Sequence, residues 1–258
     1  MRIVSLASGS GGNAYCVQSG SHTLLVDCGV SYRTFKARCK EADVDPGSVS
    51  AVVFTHDHID HARGVPMFAK CRPETPLFAN WMTAEAISHC LETDAAFNIF
   101  ENGQTFQAGP FEITAFSIPH DVPDPVGFMV KAENFVYFHA TDVGAPLDSI
   151  GAHLMDADAA TLESNHDPVL LETSARPECL KRRIRGDRGH LSNFDASGLV
   201  RRFARPKLKA LALAHLSEEC NAPHLARESA AEALRDAGLH DVRLSVLRQD
   251  GTVEIWKS

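Results

Sequence analysis

The feature that most restricts this chain sits at the end of one apolar strand. Ala51-Val52-Val53-Phe54 runs straight into Thr55-His56-Asp57-His58-Ile59-Asp60-His61. Three histidines and two aspartates therefore fall within six residues. Imidazole and carboxylate donors together suit zinc, manganese or iron. Side chains of an extended segment alternate with period two, so His56 and His58 point the same way and can hold one metal. Asp60 and His61, past the turn, can face a second. Packing alone gives no reason to gather five ligand-type side chains on one strand end, so this stretch reads as a metal-binding core.

The rest of the chain supplies a layered fold around it. A length of 258 residues with 44% hydrophobic content is enough for one large core, and one domain over residues 1–258 is the default reading. Apolar β-type runs fall at Arg2–Leu6, Ala14–Val17, Thr23–Val26, Ala51–Thr55, Phe111–Ile118, Gly127–Val130 and Phe135–Ala140. Others fall at Asp158–Leu162, Leu208–His215 and Val242–Leu247. Helical periodicity marks Ser31–Ala42, Thr83–Leu91, Asn193–Phe203 and Pro223–Ala237. No Pro- or Ser-rich linker divides them, so a mixed α/β or α+β layered domain is expected. The seven cysteines are scattered and form no Cys-x-x-Cys pair, which argues against a disulfide framework and a structural zinc knot. No apolar run approaches the ~18 residues of a membrane span, and the N-terminus lacks a signal-peptide pattern, so a cytoplasmic location without membrane contact is expected.

His-x-His-x-Asp-His after a buried strand resembles the signature of the metallo-β-lactamase superfamily, and the remaining elements of that pattern follow in order. They are His120 in Ser117-Ile118-Pro119-His120-Asp121, Asp142 in Ala140-Thr141-Asp142-Val143-Gly144, and His215 in Ala214-His215-Leu216-Ser217. Over essentially its whole length the chain further resembles the YycJ/WalJ family of bacterial nucleases. Ser8-Gly9-Ser10-Gly11-Gly12-Asn13, Asp27-Cys28-Gly29, Asp124-Pro125-Val126-Gly127-Phe128, Glu163-Ser164-Asn165-His166-Asp167 and Gly189-His190-Leu191-Ser192-Asn193 carry the match. It is also similar to the tRNase Z endonucleases in the order Glu163, His190, His215. Ala214 departs from the Thr common among relatives, and Glu218-Glu219-Cys220-Asn221 from more Asn-rich versions.

The resemblance implies a four-layer αβ/βα sandwich and two divalent ions, Zn²⁺ or Mn²⁺. It assigns His56, His58 and His120 to one ion, and Asp60, His61 and His215 to the other, with Asp142 bridging. It also places Asp60, Glu163 and His190 in catalysis. It implies a nuclease with DNA as first-choice substrate and RNA as the alternative, working from the 5′ end of duplex DNA, with a role in DNA repair. On this reading a metal-activated hydroxide attacks phosphorus. A Glu163–His190 pair then protonates the leaving oxygen, because the carboxylate keeps the imidazole charged.

Several residues carry a second, plainer reading. The glycine-rich loop holding Ser10 and Asn13 either contacts substrate phosphate through backbone N–H groups or is a tight turn needing positive φ. Glu163 and His166 either orient ligands and substrate or belong to a solvated turn, with Asp167-Pro168 starting a helix. Between Arg176 and Lys209 stand 11 Lys/Arg and three acids, a local +8 in a chain of net −8. A charge run usually faces solvent. This one brackets His190, and Arg182, Arg183 and Arg185 are its candidates for phosphate contact. The alternative function is a small-molecule hydrolase of the same fold, acting on a cyclic phosphodiester, a lactone or a thioester. A non-catalytic metal-binding protein would be expected to lack a ligand, and all seven are present. The oligomeric state is not written in the sequence.

Overall fold

The computed structural model describes residues 1–258, and the chain divides into two compact units. The first comprises residues 1–117, 122–134 and 248–258, and the second residues 118–121 and 135–247.

The first unit holds strands β1 (Arg2–Ala7), β2 (Ala14–Ser19), β3 (His22–Val26), β4 (Val49–Val53), β5 (Leu77–Asn80) and β6 (Phe97–Phe100). Three more follow as an antiparallel meander, β7 (Thr105–Ala108), β8 (Phe111–Ser117) and β9 (Val126–Ala132). Its helices are α1 (Tyr32–Glu41), α2 (Ile59–Ala62), α3 (Val65–Cys71) and α4 (Trp81–Cys90). The second unit holds strands β10 (Phe135–Ala140), β11 (Ala159–Glu163), β12 (Ala210–Ala214) and β13 (Arg243–Val246). With them go helices α5 (Asp148–Leu154), α6 (Pro168–Thr173), α7 (Glu178–Arg185), α8 (Asn193–Phe203) and α9 (Pro223–Asp236). The closing strand β14 (Val253–Lys257) returns to the first unit.

In the first unit the main sheet runs β14-β1-β2-β3-β4-β5-β6. Its first three pairings are antiparallel and those from β3 to β6 are parallel. The apolar side chains of β3 and β4, among them Leu25 and Val52, join Phe35 of α1 and Phe68 of α3 in one buried cluster. The rings of Phe35 and Phe68 meet edge to face at 5.7 Å. Helix α1 begins where Ser31 accepts a hydrogen bond from the Thr34 amide at 3.1 Å.

In the second unit β10, β11, β12 and β13 are all parallel neighbours. Every residue of β11 and β12 is buried, as a parallel strand covered on both faces requires. Parallel strands end at the same edge, so Glu163, at the end of β11, pairs in register with Ala214, at the end of β12. That edge is where an open parallel sheet presents functional side chains. The mixed α/β expectation therefore holds. No helix is long and apolar enough to cross a membrane.

Candidate active site

In the first unit, β4 ends at Val53 and Phe54-Thr55-His56-Asp57-His58 leads to α2, whose N-cap is His58. Asp60 and His61 thus stand in a four-residue helix rather than in a loop. The His56 ring lies 4.8 Å from that of His58 and 4.1 Å from that of His61, centroid to centroid. His56 and His61 are buried, while His58 and Asp60 are half-buried.

A buried carboxylate stands behind these rings. Asp27, at the end of β3 with φ of 60°, accepts bonds from the Thr55 amide at 2.9 Å and the Thr55 hydroxyl at 2.9 Å. It also accepts from His61 Nδ1 at 2.8 Å. An ionised carboxylate only accepts, so Nδ1 of His61 carries the proton and Nε2 keeps its lone pair. A metal ligand needs that tautomer. The Asn13 amide, 3.0 Å from Nε2, is consistent with it. Asn13 is fully buried and also exchanges two 3.0 Å bonds with the Gly9 backbone, so its side chain has no face open to a substrate. Ser10, by contrast, is exposed.

The backbone fixes α2 as firmly. The carbonyl of Asp60 accepts from the Asn13 amide at 2.7 Å, and that of His61 from the Cys28 amide at 2.8 Å. Gly29 passes so close that a Cβ there would stand 1.6 Å from the Asp60 carbonyl oxygen. Only glycine fits at such a crossing.

In the second unit, four ligand-type side chains converge. Atoms of Asp142, Glu163, His190 and His215 all lie within 4.8 Å of one another. Asp142 and His215 have φ of 57° and 56°. Non-glycine residues rarely adopt that left-handed conformation, which recurs at functional sites. Glu163 is completely buried and accepts four bonds. Two come from the amides of Val143 (2.7 Å) and Leu191 (3.0 Å), and two from Nδ1 of His190 (2.8 Å) and His215 (3.1 Å). Burial would push the Glu163 carboxyl up. The charge of His190 and the bonds from both imidazoles outweigh it and hold the group well below the usual carboxylate range. For His190, burial pulls the imidazole down, but the Glu163 and Asp142 carboxylates win and hold it above its ordinary value.

His120 belongs to the same unit and donates Nδ1–H to the Gly189 carbonyl at 3.0 Å, which again leaves Nε2 as the lone-pair nitrogen. Burial pushes its imidazole down, toward the neutral form that a ligand requires. Asp121 forms a salt bridge with Arg183. Gly189 is packed so tightly that a Cβ would meet the Ile184 carbonyl at 2.1 Å. His166 is buried, its imidazole pushed down chiefly by that burial, and its Nδ1 has no hydrogen-bond partner. Asp167 caps α6 by accepting from the Val169 and Leu170 amides, the helix start expected of Asp167-Pro168. Helix α8 starts at Ser192, which accepts from the Asp195 amide.

The basic run is largely neutralised where it stands. Arg182 pairs with Glu178, Arg183 with Asp121, and Arg185 with Glu172 and Glu178. Arg176, Arg201, Arg202, Lys207 and Lys209 also face carboxylates. Lys181 is buried and donates to the Glu172 carbonyl.

Within each unit the donors are imidazole nitrogens and carboxylate oxygens, and Nδ1 partners fix the tautomers of His61, His120 and His215. They fit divalent zinc or manganese and suit no soft thiolate-bound ion. A mixed α/β fold carrying such donors at strand ends defines a class of metal-dependent hydrolases. Residues 22–245 match the beta-lactamase superfamily domain. The chain is 34% identical over 236 residues to exodeoxyribonuclease YycJ of Bacillus anthracis, covering 90% of this chain and 89% of the relative. It is 32% identical over 238 residues to exodeoxyribonuclease WalJ of Streptococcus pneumoniae, covering 91% and 88%. The solved metallo-beta-lactamase fold protein YhfI of Bacillus subtilis superposes with a TM-score of 0.73 at 18% identity, over 100% of both chains. The chain belongs to the beta-lactamase superfamily and, within it, to the family that includes YycJ and WalJ.

Proposed function

We propose that this protein is a metal-dependent nuclease that hydrolyses phosphodiester bonds of DNA, working from the 5′ end of duplexes, in the cytoplasm and in DNA repair. The names of its relatives support DNA as substrate. Two divalent ions, Zn²⁺ or Mn²⁺, are assigned on family grounds. One goes to His56, His58 and His120, and the other to Asp60, His61 and His215, with Asp142 shared. Bound there, they supply Lewis acidity and an activated water.

The protein's own groups do the rest. Asp27 holds His61 in the ligating tautomer, and Gly189 does the same for His120. Asp60 is both a ligand and an orienting carboxylate for the reacting water. The observation that carries the reading is the 2.8 Å pair between Glu163 and His190 Nδ1. It keeps His190 protonated, and Nε2 is the nitrogen from which a proton reaches the leaving oxygen. Ser10 and His166 are proposed substrate contacts. Arg182, Arg183 and Arg185 join them only after releasing their carboxylates.

The test is a cleavage panel on end-labelled single- and double-stranded DNA and RNA, with Zn²⁺ and Mn²⁺ compared. Shortening of duplex DNA from its 5′ end is expected. Hydrolysis confined to small cyclic phosphodiesters, lactones or thioesters would overturn the nuclease reading.

A further inference from the structure

Cations that hold no carboxylate lie elsewhere. In the first unit, Ser31, Tyr32, Arg33, Lys36, Arg63 and Met67 line a cleft of about 430 Å³. Its size falls in the range of small-ligand sites. Arg33, Lys36 and Arg63 are exposed, and the partners of Arg63 and Lys36 are a carbonyl and a ring, with no carboxylate. No carboxylate lines the cleft. This contrasts with the run from Arg176 to Lys209, where eight of the eleven cations already hold an acid.

The floor is apolar. Met67 is 50% exposed, and the Tyr32 ring packs against Phe35 and Phe68 with the Lys36 ammonium 5.2 Å from its centroid. Arg63 follows the metal-binding helix directly, two residues after His61, and donates to the carbonyl of Gly11 in the glycine-rich loop at 3.3 Å. The cleft thus opens beside the His-x-His-x-Asp-His motif. Cations that hold no acid, set over an apolar floor, recognise an anion that carries a flat apolar part.

We propose that this cleft holds one nucleotide of the polynucleotide, away from the bond being cut. The phosphate lies on Arg33, Lys36 and Arg63, and the base lies against Tyr32 and Met67. The inference rests on the nuclease reading and adds to it a strand-anchoring subsite. A free mononucleotide shares this chemistry, so the test separates the two sources.

The variant is Arg33→Gln with Lys36→Gln in the full-length, metal-loaded protein. Its KM on long end-labelled DNA should rise by roughly tenfold, with kcat within about twofold of wild type. The log–log salt dependence should flatten by about 0.7–0.9 for each lost contact. Bis(p-nitrophenyl) phosphate, which carries no second nucleotide to place in the cleft, should be hydrolysed as by wild type. Exchanging the two side chains, Arg33→Lys with Lys36→Arg, keeps both positive charges and should leave the KM on long DNA as in wild type. An unchanged KM on DNA that is well cleaved overturns the cleft and leaves the nuclease reading standing. Loss of competition by free dAMP with an unaltered KM on long DNA overturns the strand as occupant. A wild-type protein that hydrolyses bis(p-nitrophenyl) phosphate but cleaves no nucleic acid brings down the nuclease reading and the strand proposal together.

Discussion

The two units gather their candidate site groups in different ways. The first writes four of them into six residues, so the chain is held close by its own connectivity. The second gathers Asp142, Glu163 and His215 from the ends of three strands, and His190 from a loop. There the shared edge of a parallel sheet replaces sequence proximity. Both lean on one fully buried carboxylate that accepts from an imidazole Nδ1 at 2.8 Å. Asp27 holds a single ring together with the neutral Thr55, and Glu163 holds two rings. The first arrangement sets a tautomer and so serves metal binding. The second sets the His215 ring in the same way and also holds the His190 imidazole above its ordinary value, which under the proposed function readies a proton for the chemistry.

The largest expected effect comes from breaking the first unit's donor set. His58→Ala should lower kcat on DNA and on bis(p-nitrophenyl) phosphate alike, by roughly 10³–10⁴-fold, because it removes the function both reactions share. Parallel kinetics with metal content determined for each preparation check this. Retained activity on either substrate would remove His58 from the ligand set.

Asp27→Asn comes next and sharpens the contrast between the carboxylates. It should weaken metal affinity about 10–100-fold, the usual consequence of losing the partner that orients a ligating histidine. It should also cost about 1–3 kcal/mol of stability, since buried donors on Thr55 and His61 lose an acceptor. Metal titration and denaturant unfolding measure the two effects. Glu163→Gln should instead slow turnover of the metal-saturated protein, beyond any loss of affinity through His215. The reverse pattern would exchange the roles assigned to the two acids.

The smallest effect belongs to the basic run. Replacing Arg182, Arg183 and Arg185 by Gln should flatten the salt dependence of DNA affinity by less than about 0.9 per residue, because each must first leave a carboxylate. A full loss per residue would show that these ion pairs open freely and that the run is the main phosphate track.

Legibility in the sequence followed the same division. His56 to His61 stood out because its residues are adjacent, and long apolar runs such as β4, β10, β11 and β12 were readable as strands. The short, half-exposed β6 and β7 offered no clean alternation, and β14 closes a sheet begun over 200 residues earlier. Helix α7 was hidden by its charge: Glu-Cys-Leu-Lys-Arg-Arg-Ile-Arg looks like a basic patch before it looks like a helix. The net charge of the run was readable but its neutralisation was not, since Asp121, Asp148 and Glu219 lie outside it in sequence. Asp27 had a signal, an acid closing the apolar strand Thr23–Val26, but its partner Thr55 lies 28 residues on. Arg33, Lys36 and Arg63 share no motif, and only folding brings them to one cleft.

The most direct test of the account is the turnover of His190→Ala on two leaving groups, with metal content verified. A proton donor matters in proportion to how poor the leaving group is. The account predicts that the variant keeps its metals, cleaves DNA roughly 10²–10⁴-fold more slowly, and hydrolyses bis(p-nitrophenyl) phosphate nearly as wild type, because nitrophenolate departs without a proton. Equal slowing on both substrates with metals intact would contradict it and make His190 a residue that positions substrate.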